Sequence, residues 1–199
     1  MTTPPAGTAA TPPRSARVRI LETAADLFYR EGIRAVGVDT IIARSGVAKM
    51  SLYRNFPSKD DLVCAWLEET RAQVWQWWGR VTSRHPGDPR EQLKALFRSL
   101  DRWAVSPGFR GCPFLNTVVE YGAAGHPGLD VADAHRRDVL AYFTRLAGAA
   151  GAADPERLAV QLLMVMDGAY AAGSRSVHAP AAADTASVLI DAAIPRQER

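Results

Sequence analysis

Apolar residues recur at every third or fourth position through most of the chain, and no run alternates with period two for long enough to argue a strand. The pattern predicts an all-α fold of about nine helices. Ile20, Leu21, Ala24, Ala25, Leu27 and Phe28 share one face of a first helix, expected over about 15–31, with Gly32 as its stop. A second helix is expected from Val38 or Asp39, where the Asp carboxylate can cap the start, to Ser45, with Ile41 and Ile42 turned to a core. Gly46 offers the backbone freedom that a tight turn needs. A third helix then runs from about Lys49 to Asn55, with Leu52 and Phe56 inward. Ser58 as a cap, followed by Asp60 and Asp61 at the positive helix end, opens a long fourth helix. Its Leu62, Trp66, Leu67, Thr70, Val74, Trp77, Trp78 and Val81 keep the helical period until "RHPGDP" breaks it.

Five more helices are expected. The fifth starts at Pro89 and carries Leu93, Leu96, Phe97, Leu100 and Trp103; the sixth covers Pro113 to Tyr121. The seventh spans about 129–150, with Val139, Tyr142, Phe143 and Leu146, the eighth about 155–173 and the ninth about 181–193. The eighth is apolar on two faces, through Leu158, Leu162, Val165 and Ala169 and through Leu163, Met166 and Tyr170. Such a helix must be covered on both sides, either centrally in one chain or between subunits. The Ala-rich ninth favours close approach, and these two helices from each of two chains could form a four-helix interface. The two "GAAG" stretches, at 122–125 and 148–151, read as turns and not as phosphate loops.

The third helix is the odd element. Lys49, Met50, Ser51, Tyr53, Arg54 and Asn55 all remain after Leu52 and Phe56 have taken the inward face. Two short helices joined through a Gly turn, with a third packed across them, describe a helix-turn-helix unit, whose second helix enters the DNA major groove. Lys donates to guanine acceptors, Met and Ser meet a thymine methyl or a base polar group, and a Tyr hydroxyl reaches phosphate. Composition alone favours the plainer reading, a solvated surface helix.

Charge sharpens the picture. Residues 1–60 hold nine Lys and Arg against five acids, a net +4 in a chain of net +3, so a polyanion partner is expected at that end. The remaining composition, 47% hydrophobic and 23% charged, is that of an ordinary globular protein, and no apolar run approaches the roughly 20 residues of a membrane span. Residues 1–14, rich in Pro, Thr, Ala and Gly, lack a basic segment followed by an apolar stretch; they read as a disordered tail and not a secretory signal, and the protein as cytoplasmic. Cys64 and Cys112 are too few and too distant for a disulfide framework and read as packed thiols. His85, His126, His135 and His178 show no HExxH spacing, and neither CxxC, GxSxG nor GxxxxGKS occurs, so no enzyme, metal or cofactor is expected. A helical module meeting an acidic protein would leave the Gly46 turn and the polar helix after it without a reason.

The stretch "RILETAADLFYREGIRAVGVDTIIARSGVAKMSLYRNFPSKDDLVCAWL", Arg19 to Leu67, resembles the DNA-binding domain of the tetracycline-repressor (TetR) family of bacterial regulators. The likeness lies in Ala24 or Ala25, Leu27, Phe28 and Gly32, then Ile42, Gly46 and Val47, then Leu52, Tyr53, Phe56, Ser58, Lys59 and Leu62, in order and in register. It implies a helix-turn-helix domain over 15–60 and a helical effector-binding and dimerisation domain over 61–195. It further implies that Lys49, Met50 and Ser51 face bases and that Tyr53, Asn55, Lys59 and Thr40 meet phosphate. Arg54 stands either on phosphate or towards water. Val38 takes a place where the family often has Thr, and Ile42 replaces a small Ala.

"RGCPFLNTVVEYG" and "MDGAY" resemble a subgroup of the same family without naming a ligand. Asn116 and Glu120 share a face of the sixth helix beside Phe114 and Tyr121, so they either satisfy internal hydrogen bonds or line a cavity, as does Asp167. With Trp78, Trp103 and Tyr170 these residues form the expected effector set. Trp75, Trp77, Trp78 and Trp103 read mainly as core, with part of the cluster touching ligand, and His135 reads as a surface residue in preference to a pocket group. The expected function is that of a homodimeric regulator, a repressor released from a double-stranded operator by a hydrophobic or aromatic small molecule.

Overall fold

The computed structural model describes residues 15–122, 125–172 and 181–195, so the expected tail over 1–14, the end of the eighth helix at Gly173 and two residues of the first "GAAG" turn lie outside the described residues. Among the described residues there are nine helices and no strand: α1 (Ala16–Glu31), α2 (Val38–Ser45), α3 (Lys49–Asn55), α4 (Lys59–Thr82), α5 (Pro89–Ala104), α6 (Pro113–Tyr121), α7 (Pro127–Ala149), α8 (Pro155–Ala172) and α9 (Ala182–Ala193). None is long and apolar enough to cross a membrane.

Local chemistry sets the boundaries. The Ser15 hydroxyl accepts the Val18 N–H at 3.3 Å and starts α1. α2 starts differently from expectation: Gly37 is its N-cap, and Asp39 lies inside the first turn, where its carboxylate faces the positive helix end without capping it. Gly46 closes α2 in the left-handed region, φ 63° and ψ 31°, with its N–H donating to the Ile42 carbonyl at 3.1 Å. A side chain there would add backbone strain, and the chain turns into α3 within two residues. Ser58 and Asp61 form a reciprocal capping box at α4: the Ser58 hydroxyl accepts the Asp61 N–H and the Asp61 carboxylate accepts the Ser58 N–H, each at 3.0 Å.

Ile20, Ala24, Leu27 and Phe28 of α1 form one small core with Ile41, Val47, Leu52, Phe56 and Leu62. Ile41 is fully buried, whereas Ile42 is half-buried on its edge. α4 runs out of this unit into the body. Near its start Trp66 meets Phe28 at 5.5 Å between ring centres, and near its end Trp78 stacks on Phe143 of α7 at 5.5 Å. In the body, α7 packs on α8, and α9 on both α5 and α8, through Ala186 and Ile190.

Both apolar faces expected of α8 are turned inward, with Val165 and Ala169 half-buried, and a third strip is open. Leu158, Leu162, Leu163, Met166 and Tyr170 are buried, but Val160 and Met164 are 47% and 66% exposed, and Val188 of α9 is 69% exposed. Within one chain, then, α8 is not a central helix covered all round; its inner face is full and its outer apolar face is open.

α3 has only seven residues and depends on packing to stay helical, since so short a helix is not stable alone. Leu52→Ala, at a fully buried side chain, is expected to lower unfolding free energy in urea by about 2–5 kcal/mol. Met50→Ala, at a side chain 80% exposed, should change it by less than about 0.5 kcal/mol.

Candidate nucleic-acid interface and ligand cavity

α3 is fixed from beneath and open above. Val47, Leu52 and Phe56 are buried, and the Arg17 guanidinium lies 5.0 Å over the Phe56 ring. On the other side Lys49, Met50, Tyr53 and Arg54 are exposed, Ser51 and Asn55 half-buried, and Thr40 is exposed on α2. The Lys49 ammonium stands 3.6 Å from the Asp39 carboxylate, an exposed pair that contributes little and opens readily to another anion. The Asn55 amide donates one hydrogen to the Ser51 carbonyl at 2.7 Å and keeps its second. Lys59 is half-buried; burial lowers its pKa against the opposing pull of Asp60 and Glu120. Arg19 and Arg44 add exposed cations to the same unit.

α6 ties this unit to the body. The Glu120 carboxylate accepts the backbone N–H groups of Ile33, at 3.0 Å, and Arg34, at 2.8 Å, while the Arg34 guanidinium donates to the Glu120 carbonyl at 3.3 Å. Gly32 makes room for this: with φ 92°, a Cβ there would come 3.3 Å from the carboxylate. Ahead of α6, the Tyr29 hydroxyl donates to the Gly111 carbonyl at 3.2 Å and accepts the Arg110 N–H at 2.9 Å. Asn116 holds that same loop by donating to the Arg110 carbonyl at 2.9 Å. At the other end of α6, Tyr121 stacks on His126 at 3.9 Å. His126 Nδ1 accepts the Gly128 N–H at 2.9 Å, which leaves the proton on Nε2, 3.2 Å from the Asp60 carboxylate at the start of α4 but off the hydrogen-bonding direction.

The opposite end of α6 borders a cavity of about 580 Å³. α4 contributes one stripe, Thr70, Gln73, Val74, Trp77, Arg80 and Val81, continued by Arg84; α5 contributes Ser99, Arg102 and Trp103. Cys112, Pro113 and Phe114, with His135 of α7 and Tyr170 of α8, complete the lining. A smaller space of about 40 Å³ adjoins it across Cys112, Phe114, His135 and Tyr170, with Asp133, Arg136 and Asp167 on its far wall, where Arg136 donates to Asp167 at 2.7 Å. Trp103 meets Phe109 at 4.9 Å and Tyr170 at 5.8 Å, both edge to face. Burial pushes the Cys112 thiol up to about 11, so it is no nucleophile at neutral pH.

Of the expected effector set, Trp103, Phe114, Asp167 and Tyr170 line these two spaces. Trp78 is buried behind them in the aromatic core. Asn116, Glu120 and Tyr121 line neither space: Asn116 donates to the Arg110 carbonyl, Tyr121 stacks on His126, and only Glu120 reaches the helix-turn-helix unit, at Ile33 and Arg34. His135 also departs from expectation. It is buried, not superficial, stacked on Phe114 at 3.8 Å, and its Nδ1 has no hydrogen-bond partner among the described residues. Sequence reasoning missed it because a single His carries no periodic signal. It missed Gln73, Arg80, Arg84 and Arg102 because cations at helix ends usually face water, although Thr70, Gln73, Val74, Trp77, Arg80 and Arg84 repeat at the spacing of one helix face.

His135 sets an acid limit on stability. Burial, and then the nearby Arg71, pushes its pKa down to about 4. Above the ordinary value of about 6.5 the imidazole is neutral in both folded and unfolded chains. As the pH falls from there towards 4, the unfolded chain takes up a proton that the folded one refuses, so stability declines by up to about 1.4 kcal/mol per pH unit. His135→Gln removes that component. In urea unfolding from pH 7.5 to 4.5 the wild type should lose stability more steeply than the variant; parallel curves would contradict the assignment.

The profile described as "Bacterial regulatory proteins, tetR family" matches residues 20–65, which covers α1 to the first turns of α4. No curated protein matches the chain. Among solved structures, a TetR-family transcriptional regulator from Streptomyces coelicolor is 36% identical, with a TM-score of 0.81 over 89% of this chain and 93% of that one. A second structure, described as the same kind of regulator and from Streptomyces avermitilis, is 35% identical, with a TM-score of 0.80 over 90% of this chain and 98% of that one. Identity at this level, carried across nearly the whole of both chains and joined to the helix-turn-helix geometry of α1 to α3, assigns the protein: it belongs to the TetR family of DNA-binding transcriptional regulators.

Proposed function

We propose that this protein is a cytoplasmic, homodimeric repressor that leaves its operator when a small molecule enters the cavity of the body. The observation that carries this reading is that α6 touches both places: Pro113 and Phe114 at its start line the cavity, and Glu120 at its end holds the turn between α1 and α2. A ligand that displaces the start of a rigid nine-residue helix moves the groups at its end, so cavity occupancy and the attitude of α3 are coupled through one element.

In this reading residues 15–60 read DNA and residues 61–195 bind the effector and the second subunit. Lys49, Met50 and Ser51, at the start of α3, meet base edges, and Thr40, Tyr53, Asn55 and Lys59 meet phosphate on either side. Arg54, exposed on the last turn of α3, joins the phosphate set. Dimerisation falls to the open apolar face of α8 with Val160 and Met164, together with Val188 of α9. A two-fold pair of α3 helices spaced by one turn of DNA, about 34–36 Å, would read a palindromic operator.

Fluorescence titration of labelled DNA from upstream of the protein's own gene tests the reading. Binding should saturate below micromolar concentrations, weaken steeply with salt and exceed binding to random DNA. Lys49→Ala should cost about 1–3 kcal/mol and relax preference at one base pair, whereas Tyr53→Ala should weaken all sequences alike. Equal affinity for random DNA at every salt concentration would sink the sequence-specific reading.

A further inference from the structure

The charge of the larger cavity is one-sided. Its lining holds three guanidinium groups, Arg80, Arg84 and Arg102, and no carboxylate. Acids adjoining these groups in sequence or lining the neighbouring space have contacts of their own. Asp101, next to Arg102, is buried and accepts the Ala183 N–H at 2.9 Å. Glu69 accepts from Gln73 at 3.1 Å, and Asp167 of the adjoining space is paired with Arg136. Among the described residues no carboxylate pairs with Arg80, Arg84 or Arg102, although Arg71, Arg90, Arg98 and Arg136 all have such partners. Arg80 stands on the last turn of α4 and Arg84 two residues beyond its end, both exposed. Beside these cations stand the rings of Trp77, Trp103, Phe114 and Tyr170.

We propose that the cavity selects an amphipathic organic anion, with an aromatic or alicyclic body against Trp77, Trp103, Phe114 and Tyr170 and a single oxyanion head at Arg80, Arg84 and Arg102. This rests on the ligand-responsive reading above and adds the chemical class of the ligand. The volume, about 580 Å³, lies within the range of roughly 300–1,000 Å³ that takes a small organic molecule. Guanidinium groups meet a carboxylate or phosphate through paired N–H donors; Arg80, Arg84 and Arg102 are all exposed, so the head of the ligand would sit at the open mouth of the cavity and its body against the rings within. Amines are refused by the same three charges. The unpartnered Nδ1 of His135 offers one polar contact deeper in, which suits a hydroxyl or carbonyl on the body of the ligand.

The test uses the purified full chain and a matched series: 2-naphthoate, 2-naphthamide, 2-naphthylmethylamine and 2-naphthyl phosphate, titrated calorimetrically and by tryptophan quenching. The acid should bind at least about tenfold more tightly than the amide and more tightly still than the amine, with an advantage that falls as salt rises. In Arg80→Gln, Arg84→Gln and Arg102→Gln variants that advantage should shrink, and in the triple variant vanish, while amide affinity stays as in the wild type. The phosphate arm decides which oxyanion head is preferred, and preference for either upholds the class. Amide or amine binding as tight as the acid, an advantage that survives the triple substitution, or no binding by any of the four at millimolar concentration would overturn the proposal. Tight acid binding that leaves operator affinity unmoved would uphold the anion site and contradict the ligand-responsive reading alone.

Discussion

The structure depends on one carboxylate. Glu120, at the last turn of α6, takes the backbone N–H groups of Ile33 and Arg34 at 3.0 and 2.8 Å, two donors in the short loop between α1 and α2 that no helix would satisfy. Charge-assisted bonds to backbone are among the stronger hydrogen bonds a protein makes, and they fix direction as well as distance. Because the acceptor belongs to the body and the donors to the DNA-binding unit, the two parts are held in one relative attitude. Tyr29, bonded to Gly111 and Arg110, holds the same seam at a further point. A helix whose first residues line a cavity therefore ends on the element that positions α3.

That arrangement explains why the DNA-binding unit can be so small. Its core is a few side chains deep, and α3, at seven residues, has no capping side chain of its own at Ala48. What keeps it helical is Leu52 and Phe56 beneath it and the Gly46 turn before it. With the inward face so narrow, nearly the whole remaining surface of α3 is open to another molecule.

Much of this was legible in the sequence, and the limits are physical. Helix boundaries were readable wherever a cap or breaker stood: Ser58 before α4, Pro89 at the start of α5, and Gly46 after α2 all act where their side chains or backbone freedom require. Asp39 misled because Gly37, with no side chain to cap anything, already holds the extended conformation that an N-cap takes. The polar helix was legible because Leu52 and Phe56 alone account for its buried face. The cavity was less so. Periodicity reports which face of a helix is turned inward but not what it meets there, so Glu120 and Asn116 could equally have faced a ligand or a neighbouring backbone. Only the fold, by bringing residues 33 and 34 beside residue 120, decides for the backbone. His135 and the three cavity arginines show the same limit from the other side: their meaning lies in which helices surround them.

The account stands on the claim that α6 transmits cavity occupancy to the reading helix through Glu120. The most direct measurement is the ratio of operator affinities, by fluorescence anisotropy, without and with saturating 2-naphthoate, in the wild type and in Glu120→Ala. The account predicts a ratio of at least about fivefold in the wild type, the usual lower size of such couplings, and a ratio falling towards one in Glu120→Ala while 2-naphthoate still binds. A wild-type ratio of one, or an undiminished ratio in the variant, would contradict it.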